Sequence, residues 1–135
     1  MKTVFVDSNL FLRHLTNDDR SQSERADRLL QEAAAGTVQL ITGPPVFFEI
    51  AWALAKKYRE SQQAILTALR SILTYPNLTI TDAPIAETAL TLAEQRGMTY
   101  ADAYIVALAE SAHAAAIAAF NVKHLDGVFE LYPLD

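Results

Sequence analysis

Apolar and polar positions along this chain switch repeatedly between a two-residue and a three-to-four-residue period. Thr3–Val6 is a short β-branched and aromatic run, read as a first strand that stops at Asp7. Ser21 stands where a cap belongs for a helix across Gln22–Ala35, and Gly36 stands where a helix end often turns left-handed. Thr37–Thr42 (TVQLIT) reads as a second strand. Pro44–Pro45 breaks it and suits the first turn of a helix, where the N–H that proline lacks would go unpaired anyway. That helix is expected to reach about Tyr58, with Phe48, Trp52 and Ala55 on its core face. Ser61 caps another, carrying Ile65, Leu66, Leu69, Ile72 and Leu73 at helical spacing. Leu78–Thr81 is a third strand. Asp82 and Pro84 open a helix with Ile85, Ala89, Leu92 and Ala93, ended by Gly97. Met98–Ala112 is the next helix, Ala115–Phe120 a fourth strand and Val128–Tyr132 a short fifth.

Strands alternating with helices imply βαβ units. The expected fold class is therefore α/β: a parallel sheet of four to five strands with helices on both faces. The 135 residues contain no repeat, low-complexity tract or linker, so one domain spanning 1–135 is expected. At 51% apolar and 20% charged residues, the composition suits an ordinary soluble core. Cysteine is absent, which removes zinc–thiolate sites, disulfides and thiol nucleophiles and fits a reducing cytoplasm. The opening MKTVFVDSN has no long apolar region and is not expected to be a signal peptide. Ala101–Phe120 is long and alanine-rich, but Asp102, Glu110 and His113 fall within it and Asn121 follows. It is read as a buried helix and a strand, with no membrane span. The net charge of −5 argues against a protein that coats nucleic acid. A nuclease stays open, because carboxylates that hold metal ions also count as acidic.

Parallel sheets place their sites at the carboxyl ends of strands. Asp7 follows the first strand and Asn121 the fourth. Glu49 lies early in the helix after the second strand, and Asp102 in the first turn of the helix before the fourth. The two acids join Asp7 and Asn121 if their helices begin at the same edge. Three carboxylates brought together repel one another unless a cation offsets them. A hard divalent ion such as Mg²⁺ does so through oxygen ligands and activates water against a phosphodiester. Taken singly, an Asp after a strand or at a helix start is ordinarily a cap, and Glu49 a solvated helix residue.

Together, VFVDSNLFLR, PPVFFEIAWAL, TYADAYIVALA and AAIAAFNVKHL resemble the PIN-domain family, particularly its VapC-like toxins, from Val4 to about Tyr132. The resemblance implies helices around a parallel sheet, a Mg²⁺ or Mn²⁺ site and endonucleolytic cleavage of RNA. By position, Asp7, Glu49 and Asp102 match the acidic metal ligands. Asn9 matches a polar residue orienting the first Asp, and Ser8 the small hydroxyl residue beside it. Where the family usually carries Thr and Asp at the end of the fourth strand, this chain has Ala119 and Asn121. Asparagine keeps a carbonyl oxygen but loses the charge, so one ion, or a second recruited only with RNA, is the inference. Asp126, before Gly127, is read as a turn residue. The resemblance further implies a homodimer and an antitoxin whose tail crosses the acidic site, often through an arginine.

Arg13, His14, Arg20, Lys123 and His124 flank the acidic positions in sequence and are candidates for phosphate contact, Lys123 and His124 foremost. Singly, each is more simply a solvated charge. Lys56, Lys57 and Arg59 read as a helix end favourable to its dipole. Trp52, Phe47, Phe48 and Tyr58 read as core or dimer surface. The expected function is thus a Mg²⁺- or Mn²⁺-dependent endoribonuclease acting as the toxin of a type II toxin–antitoxin pair. The alternative is a weak or inactive PIN fold that only binds RNA or protein. A phosphatase of the haloacid dehalogenase type would want an acid at Asn9, and the chain offers none.

Overall fold

The computed structural model describes residues 1–120 and 123–134. The described chain divides into two compact units, Met1–Ala83 and Pro84–Asp135. The first runs β1 (Lys2–Phe5), α1 (Ser8–Thr16), α2 (Arg20–Ala34), β2 (Val38–Thr42), α3 (Pro44–Lys56), α4 (Gln62–Ile72) and β3 (Leu78–Ile80). Helix α5 (Ala83–Arg96) starts at the boundary, and α6 (Tyr100–Ser111) follows in the second unit. The α/β class is as expected. The strands form one parallel sheet in the order β1-β2-β3, with Val4 opposite Leu40 and Leu40 opposite Leu78.

β2 is the central strand, and it alternates as a packed strand must: Val38, Leu40 and Thr42 are buried while Gln39 and Ile41 are half-buried. Helix α1 packs on α2 and α3, α3 on α4, and α2 on β2. Phe11, Leu40, Phe47, Ile50, Leu69 and Ile72 are the large, fully enclosed side chains of this unit. In the second unit Leu90 of α5 and Val106 of α6 are buried, as are Ala86, Ala89, Ala93, Ala103 and Ala107. No helix among the described residues is long and apolar enough to cross a membrane.

Four expectations need correction. First, the described residues hold three strands, not four or five. The predicted fourth and fifth strands meet only at a single parallel bridge, Ile117 to Leu131. Alanine, which favours strands little, fills most of Ala115–Phe120. The N–H groups of Val128 and Phe129 are already used in turns onto the Leu125 carbonyl. Second, α1 occupies residues for which the pattern predicted no element. It begins at Asp7 without a side-chain cap and ends at Asn17 in left-handed backbone (φ 56°). Third, α2 is capped by Asp19, whose carboxylate accepts the Gln22 N–H at 3.0 Å, and Ser21 lies inside the helix. Fourth, α3 turns Val46, Phe47, Ile50, Ala53 and Leu54 inward. Trp52 is 59% exposed and Ala55 is exposed as well. The caps at Ser61, Gly36 and Gly97 stand as predicted. Ser61 accepts from the Ala64 N–H at 3.1 Å, and the two glycines have φ of 84° and 66°.

Candidate functional site

The carboxyl ends of β1 and β2 lie side by side because the two strands are parallel and in register through Phe5 and Ile41. β1 delivers Asp7, exposed, at the cap position of α1. β2 delivers α3, whose first turn is fixed by Pro44 and Pro45, and Glu49 follows two residues after the enclosed Phe47. Ser8, only 4% exposed, donates its hydroxyl to Glu49 Oε2 at 3.4 Å. The structure thus brings the residue after Asp7 against the glutamate 41 positions on. Asn9 is exposed on the first turn of α1.

Asp102 belongs to the second unit. It sits half-buried in the first turn of α6, where Thr99 caps the helix by accepting the Asp102 N–H at 3.2 Å. A negative side chain is favoured at that end of a helix. Asn121 lies outside the described residues. Lys123 and His124 are exposed in the turn that follows, and Asp126 is exposed beside Gly127 at φ 76°.

Arg13 and His14 have partners within the first unit. Arg13 Nε donates to Gln22 Oε1 at 2.6 Å, and Nη1 faces Asp18 Oδ1 at 3.5 Å and the Tyr58 hydroxyl at 3.3 Å. His14 Nδ1 meets Asp27 Oδ1 at 2.5 Å, and its ring stands edge-on to Tyr75. Arg20 pairs with Glu24 one turn later at 3.3 Å. These basic groups already balance carboxylates, and phosphate would have to compete for them.

The ion pairs described, Arg13–Asp18, His14–Asp27 and Arg20–Glu24, leave out Asp7, Glu49 and Asp102. Among the described residues, no three histidine, aspartate or glutamate side chains are grouped so as to hold a metal ion. The donor chemistry at the β1–β2 edge nevertheless suits a hard cation. It consists of carboxylate oxygens without thiol or imidazole, and a carboxylate that accepts one hydroxyl keeps lone pairs for an ion. A cavity of about 340 Å³ lies elsewhere, between α1 and the ends of α3 and α4, lined by Leu15, Asp18, Leu54, Tyr58 and Glu60 among others. It contains none of the acidic candidates.

No curated protein matches the chain. Among solved structures it is similar to VapC20 of Mycobacterium tuberculosis, a Sarcin-Ricin loop cleaving toxin, at 21% identity over 96% of this chain and 99% of that one (TM-score 0.43). It is also similar to VapBC2 from Rickettsia felis, solved with a DNA fragment from their promoter, at 15% identity over the whole of both chains (TM-score 0.38). The sequence profile of the PIN domain matches residues 4–126, a span that runs through both compact units. The chain belongs to the PIN domain family.

Proposed function

We propose that this chain is a Mg²⁺- or Mn²⁺-dependent endoribonuclease, the toxin of a type II toxin–antitoxin pair, working as a single PIN domain in the cytoplasm. Family membership supports the nuclease. The observation that carries the site is the Ser8–Glu49 hydrogen bond. It ties the start of α1, and so Asp7, to the acid on α3 at the carboxyl ends of adjacent strands.

In this reading Asp7, Glu49 and Asp102 hold the cation through carboxylate oxygens. When bound, the ion supplies a Lewis acid for phosphate and lowers the pKa of a coordinated water. Ser8 orients Glu49 by its hydrogen bond, leaving the other carboxylate oxygen to face outward. Asn9 orients Asp7. Asn121 offers an uncharged carbonyl oxygen to position water, in place of a fourth acid. Lys123 and His124 contact the phosphates of the strand being cut, with Arg13 and His14 as further candidates. Water adds to phosphorus, one P–O bond of the backbone breaks, and the leaving oxygen takes a proton.

The partners are RNA, a second copy of the chain and an antitoxin. An arginine of the antitoxin laid across the carboxylates would form the strong charge-assisted pairs that such groups favour. Ala119 and Asn121 motivate a second reading, a PIN fold that binds RNA or protein without cutting.

Brief induction without a partner, followed by sequencing of cellular RNA ends, tests the proposal. New ends and slowed growth are expected from the unmodified chain and neither from Asp7→Asn. Equal ends from Asp7→Asn would remove that residue from the site. No new ends from either would favour the binding module.

A further inference from the structure

We propose that Thr42 is a positioning residue for the metal site, its hydroxyl locking the strand ends that carry Asp7 and Glu49. The inference rests on the metal-dependent reading above and adds a residue to it.

Thr42 ends β2 on the same inward stripe as Val38 and Leu40, yet it is polar and fully buried. Its Oγ1 donates to the Val6 carbonyl at 3.0 Å, a buried bond between neighbouring strands. The Val6 N–H already pairs with Ile41 O at 2.9 Å, so Thr42 adds one further rung to the ladder where the chains are about to diverge. The Val6 carbonyl and the Asp7 N–H belong to one planar peptide unit. Fixing the direction of that carbonyl fixes the plane from which the Asp7 side chain departs.

On the other side, Thr42 leads through Gly43 directly into Pro44, the first residue of α3. Its own carbonyl accepts the Thr81 N–H at 3.0 Å, anchoring it to the end of β3. Close packing fixes this corner further. A Cβ on Gly43 would meet Thr81 Oγ1 at 2.6 Å, so only glycine fits this corner without something shifting. One hydroxyl therefore joins the peptide before Asp7 to the residue before the Gly43–Pro44 corner. Ser8 and Glu49 complete the same tie one layer further out.

Manganese titration by calorimetry, with thermal melts of each protein, tests this on the full chain. Thr42→Val keeps the shape and loses the donor; Thr42→Ser keeps the donor and loses a methyl. Thr42→Val is expected to bind Mn²⁺ about tenfold more weakly or worse, the usual effect of losing an outer hydrogen bond to a metal site. Thr42→Ser is expected to lower the melting temperature while binding Mn²⁺ within about twofold of the parent, since the bond to Val6 survives. A purely structural threonine would give the reverse ranking, with affinity following stability. Parent-like affinity in Thr42→Val, or equal weakening in both variants, overturns the proposal. Absence of Mn²⁺ binding by the unmodified chain would instead overturn the metal reading itself. Should Thr42→Val not fold, the unmodified chain still decides. Mg²⁺ is expected to shift the Val6 carbonyl ¹³C resonance, and an unmoved resonance contradicts the tie.

Discussion

Three donors converge on the carboxylate of Asp18: the Tyr58 hydroxyl at 2.6 Å, the Thr16 hydroxyl at 3.0 Å and Arg13 Nη1 at 3.5 Å. The Tyr58 bond is the main reason its pKa falls below 3.8, with Thr16 and the Arg13 charge adding to it against the desolvation that opposes them. A carboxyl group whose folded pKa is depressed stabilises the fold above its unfolded value, and that contribution is lost as pH drops through the folded value. Tyr58→Phe should therefore move the Asp18 midpoint up toward 3.8, read from its side-chain ¹³C resonance during an acid titration. An unmoved midpoint would mean that Arg13 and Thr16 hold the carboxylate without help. The same cluster occupies Arg13, one of the candidates for RNA contact, with intramolecular partners. Sequence shows only that Arg13 is basic and near Asp7, and nothing in the pattern reveals that Gln22, Asp18 and Tyr58 surround it.

Helix α2 shows how capping decides an element's start. Asp19 and Ser21 are both good cap residues, and from sequence the serine adjoins the periodic segment more closely. In the structure the Asp19 carboxylate holds the Gln22 N–H, and Ser21, two residues later, already lies within the helix. Asp19→Ala should cost about 1 kcal/mol of stability, and Ser21→Ala no more than about 0.5 kcal/mol, in chemical denaturation. Equal losses would contradict the Asp19 cap. Among the described residues, the three strands and five of the six helices were legible because turn residues bracket clear apolar periods. α1 was not, since its nine residues start with no side-chain cap and are too few to establish a period. The inward face of α3 was misread for another reason. Apolar residues fill almost every position from Val46 to Leu54, so periodicity selects no face, and packing chose Phe47 and Ile50 over Trp52. The alanines of Ala115–Phe120 misled in the opposite sense, since they neither forbid a strand nor drive one.

At the scale of the whole chain, the acids of the proposed site were visible through their motifs: VFVDSN, the glutamate after the Pro-Pro helix start, and TYADA. What sequence could not supply was the tie between them. Ser8 to Glu49 and Thr42 to Val6 span 41 and 36 positions, and such pairings exist only once β1 and β2 lie in register. The one advance signal for Thr42 was a polar residue ending the apolar stripe of Val38 and Leu40. The central claim, proposed above, is that Asp7, Glu49 and Asp102 share one divalent ion. Paramagnetic Mn²⁺ tests it most directly, because it broadens the NMR signals of nuclei near it and spares the rest. With sub-stoichiometric Mn²⁺, the amide signals of Asp7, Glu49 and Asp102 are expected to fade together and ahead of those elsewhere in the chain. A sharp Asp102 signal beside faded Asp7 and Glu49, or no selective fading at all, would contradict the account.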